Sequence, residues 1–268
     1  FSTPFTLTKT IYSFPKLSNI VKSTPNITAF DFIVVDEASM MPCPQFFTLI
    51  KFFSPPGQVF ISGDHRQMAP VQKQDWTENN RQSIKETGVY LSVLNYFRAL
   101  RGDEMIDIDQ TELSIHGSTE VPLIRLNETY RCHASVANFL QKWVYTRDNI
   151  RYHSRRTETL PDIDILNRTT SGIEYTQPIS LITHTDTSSQ QSNIIEAEIV
   201  NSIITALPSE TDVGVIAPHN AQKGLLSSSV PDNVHVDTVE RFQGGEKDVL
   251  ILSTTVSDPT YISAESDF

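Results

Sequence analysis

Apolar residues in this chain gather into short continuous runs, and segments with a helical spacing of apolar positions separate them. Residues 31–36 form such a run and predict a strand buried on both faces. Residues 44–53 carry a wide apolar face that suits a helix, opened by Pro42 and Pro44 and stopped by Pro55-Pro56-Gly57. Residues 58–62 predict the next strand, ending at Gly63-Asp64. Further on, a helix is expected at 89–101, a strand at 121–126 and an amphipathic helix at 133–147. The stretch 148–178 reads as irregular. A strand at 179–183, a helix at 192–207 and a strand at 212–217 follow. A short helix from 219 and strands at 234–237 and 248–253 complete the pattern. Strands alternating with helices predict an α/β fold with parallel sheets flanked by helices.

The pattern breaks over 73–120, which is polar, acid-rich and weakly periodic apart from its one helix. It reads as a connection or insertion between a first domain at 1–72 and a second at 121–268. With 38% hydrophobic and 20% charged residues, the 268-residue chain has the make-up of a globular protein with a core. No apolar stretch reaches the roughly 18–20 residues that a membrane helix needs. The N-terminus has no signal-peptide pattern and no Met, so a fragment or processed chain is expected. Cys43 and Cys132 form no Cys-x-x-Cys pair, which removes the usual zinc and disulfide signatures and leaves the cytoplasm as the expected compartment. The net charge of −11 argues against a broad phosphate-binding surface, though a local basic or amide-lined path would still hold a single strand.

Five segments carry candidate chemistry. The first strand ends in Asp36-Glu37-Ala38-Ser39, two acids at the edge where α/β proteins place ligands. One such acid can hold Mg²⁺ and the other polarise a water, but the pair also suits a strand that ends in solvated charge. Gly63-Asp64-His65-Arg66-Gln67 follows the second strand. Gln67 can bond a phosphate oxygen and a neighbouring water, or belong to an ordinary turn. In Tyr130-Arg131, a guanidinium suits developing phosphoryl charge and the aromatic ring suits stacking, while a surface pair at a helix start is the plain alternative. Ala217-Pro218-His219-Asn220-Ala221-Gln222 and Asp237-Thr238-Val239-Glu240-Arg241-Phe242-Gln243-Gly244-Gly245-Glu246-Lys247-Asp248 complete the set. Taken singly, Gly244-Gly245 means only a turn.

In their order and spacing, these segments closely resemble the motifs of superfamily 1 helicases, best those of the branch holding the nonsense-mediated-decay RNA helicase and the Okazaki-fragment helicase-nuclease. The resemblance runs from about residue 3 to the C-terminus, except over 73–120 and 148–178. It implies two RecA-like P-loop NTPase domains, the first incomplete, that clamp ATP and Mg²⁺ between them and carry single-stranded DNA or RNA. It implies that Asp36 holds the metal, Glu37 activates the water and Gln67 senses the terminal phosphate. Arg131 then acts as an arginine finger and Tyr130 stacks on adenine, with Gly245 and Glu246 at the ribose or a neighbouring phosphate. Thr3, Thr8, Pro218, His219, Asn220, Gln222 and Thr238 are expected to face the nucleic acid. The implied activity is 5′ to 3′ translocation and duplex unwinding by a monomeric motor, with no membrane partner.

Two departures qualify the resemblance. No Gly-x-x-x-x-Gly-Lys-Ser/Thr loop occurs in the chain, and the late arginine motif is missing after Phe268. Met68-Ala69 stands where Leu-Pro is usual, and His219 where Tyr is common. The chain is therefore expected to be the middle of a motor, with little or no turnover by itself. Two rival readings remain: a helicase-derived nucleic-acid-binding or scaffold module without ATPase activity, and a P-loop NTPase of unrelated purpose. The retained Asp36, Glu37, Gln67 and Arg131 count against the first, and the Gln243–Glu246 segment against the second.

Overall fold

The computed structural model describes residues 30–50, 52–70, 82–108, 113–115, 121–158 and 178–265. The chain divides into two compact units, 1–125 and 126–268. In the first unit, β1 (Phe30–Val35) pairs in parallel with β2 (Phe53–Ile61), and α1 (Cys43–Ile50) connects them. β2 starts earlier than its apolar run suggests, because the register slips over 54–57 before settling at Phe32↔Gln58. Pro55-Pro56-Gly57 therefore lies within the strand instead of ending a helix. Proline lacks the N–H that a regular ladder needs, and a bulge absorbs that loss.

The first unit's core joins Val35, Ala38, Phe46 and Val93, with Ile33, Val59, Leu94 and Phe97 packed against them. Val93, Leu94 and Phe97 lie on α3 (Val93–Arg101), which follows the short α2 (Gln82–Thr87). This part of the expected connection is thus built into the first unit. α3 starts at Ser92, whose side chain caps the Asn95 N–H, and ends at Gly102 in the left-handed conformation.

The second unit begins with β3 (Glu128–Thr129), α4 (Ala134–Trp143), a 3₁₀ turn at Tyr145–Asp148 and β4 (His153–Ser154), which pairs in parallel with β3. Then come α5 (Ile194–Ala206), β5 (Val213–Ile216), α6 (Asn220–Ser229), β6 (His235–Asp237), α7 (Val239–Phe242), β7 (Val249–Leu252) and α8 (Pro259–Glu265). The sheet runs β6-β5-β7, all parallel. β5 is central and buried, and Val213, Val215 and Ala217 pack with Ala197, Val200 and Ile204 of α5 and Leu226 of α6.

The expected strands at 121–126 and 179–183 are absent. Leu126 is 84% exposed and Leu181 is 89% exposed, so apolar composition there does not report a buried ladder. Of the expected helix at 133–147, α4 keeps 134–143, and the last turn tightens into the 3₁₀ segment. Among the described residues no helix is long and apolar enough to cross a membrane.

Candidate functional site

In the first unit, the two strand tips are stitched together. Ser62 N–H donates to Val35 O at 2.8 Å, and Ala38 N–H returns the bond to Ser62 O at 2.9 Å. Gly63 is needed at this approach, since a Cβ there would stand 3.0 Å from the Ala38 nitrogen and 3.2 Å from that of Ser39. α3 closes the other side. Leu94 N–H donates to Ala38 O at 3.2 Å, and Val93 N–H to Met41 O at 2.8 Å. These are first-turn helix amides, which have no partner within their own helix.

The result is a rigid loop that presents Asp36 and Glu37, both exposed. Glu37 takes the left-handed conformation, φ 50°, uncommon for a residue with a side chain. Its N–H donates to Asp36 Oδ1 at 3.0 Å. Gln67 is exposed at the end of the same strand pair, its N–H donating to Asp64 O at 3.1 Å. Ser39 is buried just behind the acids, and its hydroxyl has no hydrogen-bond partner.

In the second unit, the loop between β3 and α4 carries Tyr130 and Arg131. Tyr130 is 69% exposed and walls an open depression of about 390 Å³ with Arg155, Arg156, Thr157 and Glu158. Arg131 Nε donates to Glu246 Oε1 at 2.7 Å, an ion pair in which both side chains are mostly exposed. The structure thus brings together two residues that lie 115 positions apart.

The loop holding Glu246 is anchored by its neighbours. Phe242 fills a slot over Gly214, where a Cβ would come within 2.4 Å of the ring. Lys247 Nζ reaches Asp212 Oδ1 at 2.7 Å, and Asp248 N–H donates to Asp212 O at 2.9 Å. Gly244 turns the chain at φ 81°, and Gly245 N–H donates to Phe242 O at 3.1 Å. Beside them, the side-chain amide of Gln243 has its nitrogen and oxygen both buried without a partner. Such groups are costly, about 1–3 kcal/mol each.

The expected nucleic-acid residues divide. Thr3 and Thr8 lie outside the described residues. Pro218 and Asn220 are exposed at the head of α6, and the His219 ring packs edge-on to Tyr261 at 6.4 Å. Thr238 is half-buried, its N–H donating to Asp237 Oδ1 at 2.8 Å. Lys223 bonds the same oxygen at 2.7 Å and, with the Thr238 amide, holds the Asp237 carboxyl below the usual range.

Gln222 requires a correction, because its side chain is fully buried and bonded within the second unit. Its Oε1 accepts from Asn193 N at 2.7 Å, and its Nε2 donates to Asn193 O at 3.2 Å and Ser253 Oγ at 2.9 Å. Gln222 belongs to a network that residue types alone did not reveal. Buried Glu196 accepts from Thr255 N–H at 2.9 Å and from the hydroxyls of Ser253 and Thr254, with His184 Nε2 at 3.4 Å. The network pins the head of α6 to the tip of β7. Its signal was Asn193-Ile194-Ile195-Glu196, a cap residue followed three positions later by an acid.

Residues 110–265, more than half of the chain, match a family of AAA domains. DNA polymerase alpha-associated DNA helicase A of Saccharomyces cerevisiae is 25% identical over 92% of this chain and 36% of its own length. The DNA replication ATP-dependent helicase/nuclease JHS1 of Arabidopsis thaliana is 25% identical over 84% of this chain and 16% of its own. The probable helicase senataxin of Homo sapiens is 24% identical over 84% and 8%. The chain belongs to the AAA-domain helicases of superfamily 1.

This superfamily 1 chain spans little more than a third of the yeast relative and less of the others. Its residues fit a nucleotide with Mg²⁺. That ion is held by one or two protein carboxylates, with phosphates and water supplying the rest. Asp36 is exposed at a strand tip, with one oxygen bonded to its neighbour's amide. Among the described residues no group of three or more His, Cys, Asp or Glu forms a dedicated metal cage.

Proposed function

We propose that the chain is the middle of an ATP-dependent motor that moves 5′ to 3′ along single-stranded nucleic acid and opens duplexes. The observation that carries this reading is the placement of Asp36 and Glu37, held on a loop locked by Gly63 and by the first-turn amides of α3. Mg²⁺ bound with ATP neutralises charge on the transferred phosphoryl group. Asp36 would hold that ion, and Glu37 would take the proton of the attacking water. Gln67, on the neighbouring strand tip, orients the water and the terminal phosphate. Tyr130, with its exposed ring, is the residue for the base, and Arg131 the one for phosphoryl charge. Gly245 and Glu246 lie at the ribose. Pro218, His219, Asn220 and Thr238 face the strand, the first three at the head of α6, which Gln222 fixes. DNA is the polymer in the names of the yeast and plant relatives, which supports DNA as the track.

Glu37→Gln in the full-length protein tests the reading. A general base contributes about 10²–10⁴-fold. ATP turnover should fall by that factor while titration with a fluorescent nucleotide shows affinity changed less than threefold. Wild-type turnover in this variant would refute the assigned base.

One observation favours a passive binding module: Arg131 and Glu246, both assigned to ATP, satisfy each other. Single-strand affinity measured with and without ATP separates the two. A motor's affinity follows its nucleotide state, and a passive module's does not.

A further inference from the structure

Arg131 is mostly exposed, and among the described residues its guanidinium is held by the exposed Glu246 carboxylate alone, so its aim depends on its backbone. That backbone is held on two sides: its N–H donates to Thr129 Oγ1 at 3.2 Å within the loop, and the segment 153–157 braces it from outside. Arg156 Nη1 donates to Arg131 O at 2.9 Å. Ser154 Oγ donates to Cys132 O at 2.6 Å, and Ala134 N–H donates to Arg156 O at 2.8 Å. His133 adds a fourth tie. Its Nδ1 accepts from Ser135 N–H at 3.0 Å, so in the neutral ring the proton sits on Nε2, which faces Thr157 O at 3.3 Å. Ahead of the loop, His153 N–H donates to Asn127 O at 3.0 Å.

Of the ties from 153–157, the Arg156 side chain is the one that reaches Arg131 itself, at its carbonyl. We propose that Arg156 is a positioning residue for Arg131, holding the arginine finger's backbone through its carbonyl so that the guanidinium is aimed before nucleotide arrives. This rests on the finger role given to Arg131 above. A hydrogen bond from a charged donor is about twice as strong as a neutral one. A guanidinium also keeps its charge at any working pH, so the brace does not titrate away. Preorganisation matters because a misplacement of about 1 Å costs on the order of 10²-fold in rate. Arg156 also lines the depression beside Tyr130, which raises the alternative that it meets the nucleotide directly.

The test is a double-mutant cycle in the full-length protein, using Arg131→Ala, Arg156→Ala, Arg156→Lys and the double alanine variant. A finger contributes about 10³–10⁵-fold in kcat. Arg131→Ala should show a loss in that range. Arg156→Ala should lose about 10- to 100-fold in kcat with KM for ATP unchanged within twofold. Arg156→Lys, which still donates to a carbonyl, should recover most of that loss. The double variant should match Arg131→Ala alone, because a brace has nothing left to aim. Losses that multiply, a raised KM as the main effect, or wild-type kcat in Arg156→Ala would each overturn the proposal.

Amide exchange across 130–134 supplies a readout apart from turnover, and it should quicken in Arg156→Ala. Unchanged exchange would overturn the brace whatever the kinetics. Wild-type turnover in Arg131→Ala would instead remove the finger assignment, and the positioning role with it, even if exchange quickened.

Discussion

Gln222→Met separates two roles for one side chain. Methionine keeps the length and roughly the volume of glutamine, so packing changes little. The polar consequences are specific. Asn193 loses the acceptor of its N–H and the donor to its O, and Ser253 Oγ loses the Gln222 donor while still bonding Glu196. Asn193 O keeps its bond from the Ala197 N–H at 3.2 Å, so one backbone group of a fully buried residue, the Asn193 N–H, is left unpaired. One such group costs about 1–3 kcal/mol, and the loss should be of that size. With a urea slope of about 1–3 kcal/mol per molar, the unfolding midpoint should fall by about 0.3–3 M. Equilibrium unfolding of the chain, followed by far-UV circular dichroism, reads this directly. A strand-contacting glutamine would behave in the opposite way, with stability unchanged and single-strand affinity reduced. A midpoint shift corresponding to less than about 0.5 kcal/mol would refute the core role, since surface changes stay within that size.

Two further outcomes follow from the second unit. Gly214→Ala places a methyl group 2.4 Å from the Phe242 ring, which must leave its slot. Overpacking of this kind costs about 1–3 kcal/mol and should lower the melting temperature, and it should loosen the 243–246 loop in amide exchange. At low pH, Asp258 is the group to watch. Bonds from the Thr260 hydroxyl at 2.6 Å and the Gln190 amide at 2.8 Å hold its carboxyl down to about 2. A carboxylate lowered by folding stabilises above its ordinary value of about 3.9, and the benefit disappears as pH falls toward 2. Thermal melts should therefore drop between pH 4 and 2, and more shallowly in Asp258→Asn. Equal slopes in the two proteins would remove this account.

The sequence patterns that located elements correctly are those anchored by residues that the core buries. β1, β5 and α5 were visible because Val35, Val215 and Val200 anchor their apolar runs in a core, although Phe32 and Val34 are each 57% exposed, so β1 is not buried on both faces as its run suggested. The 121–126 and 179–183 segments misled because Ile124, Leu126 and Leu181 are apolar yet exposed. The site divides the same way. Asp36, Glu37, Tyr130, Arg131 and Glu246 were legible as motif residues, and the structure leaves all of them accessible. Gln222 was misassigned because its role depends on Asn193 and Ser253, 29 and 31 positions away. Arg156 was overlooked for a related reason. Its partner is a carbonyl 25 residues earlier, and a carbonyl leaves no mark in residue type.

The left-handed backbone of Glu37 places the candidate base at odds with the fold that carries it. A residue with a Cβ in that conformation costs about 1–2 kcal/mol, a cost that glycine avoids and asparagine bears more easily. Position 37 therefore has two optima. Variants screened for heat resistance alone would drift toward glycine or asparagine, and variants screened for turnover would keep the glutamate. A stabilised form of this protein obtained by the first route would lose its chemistry at the residue where it gained its stability.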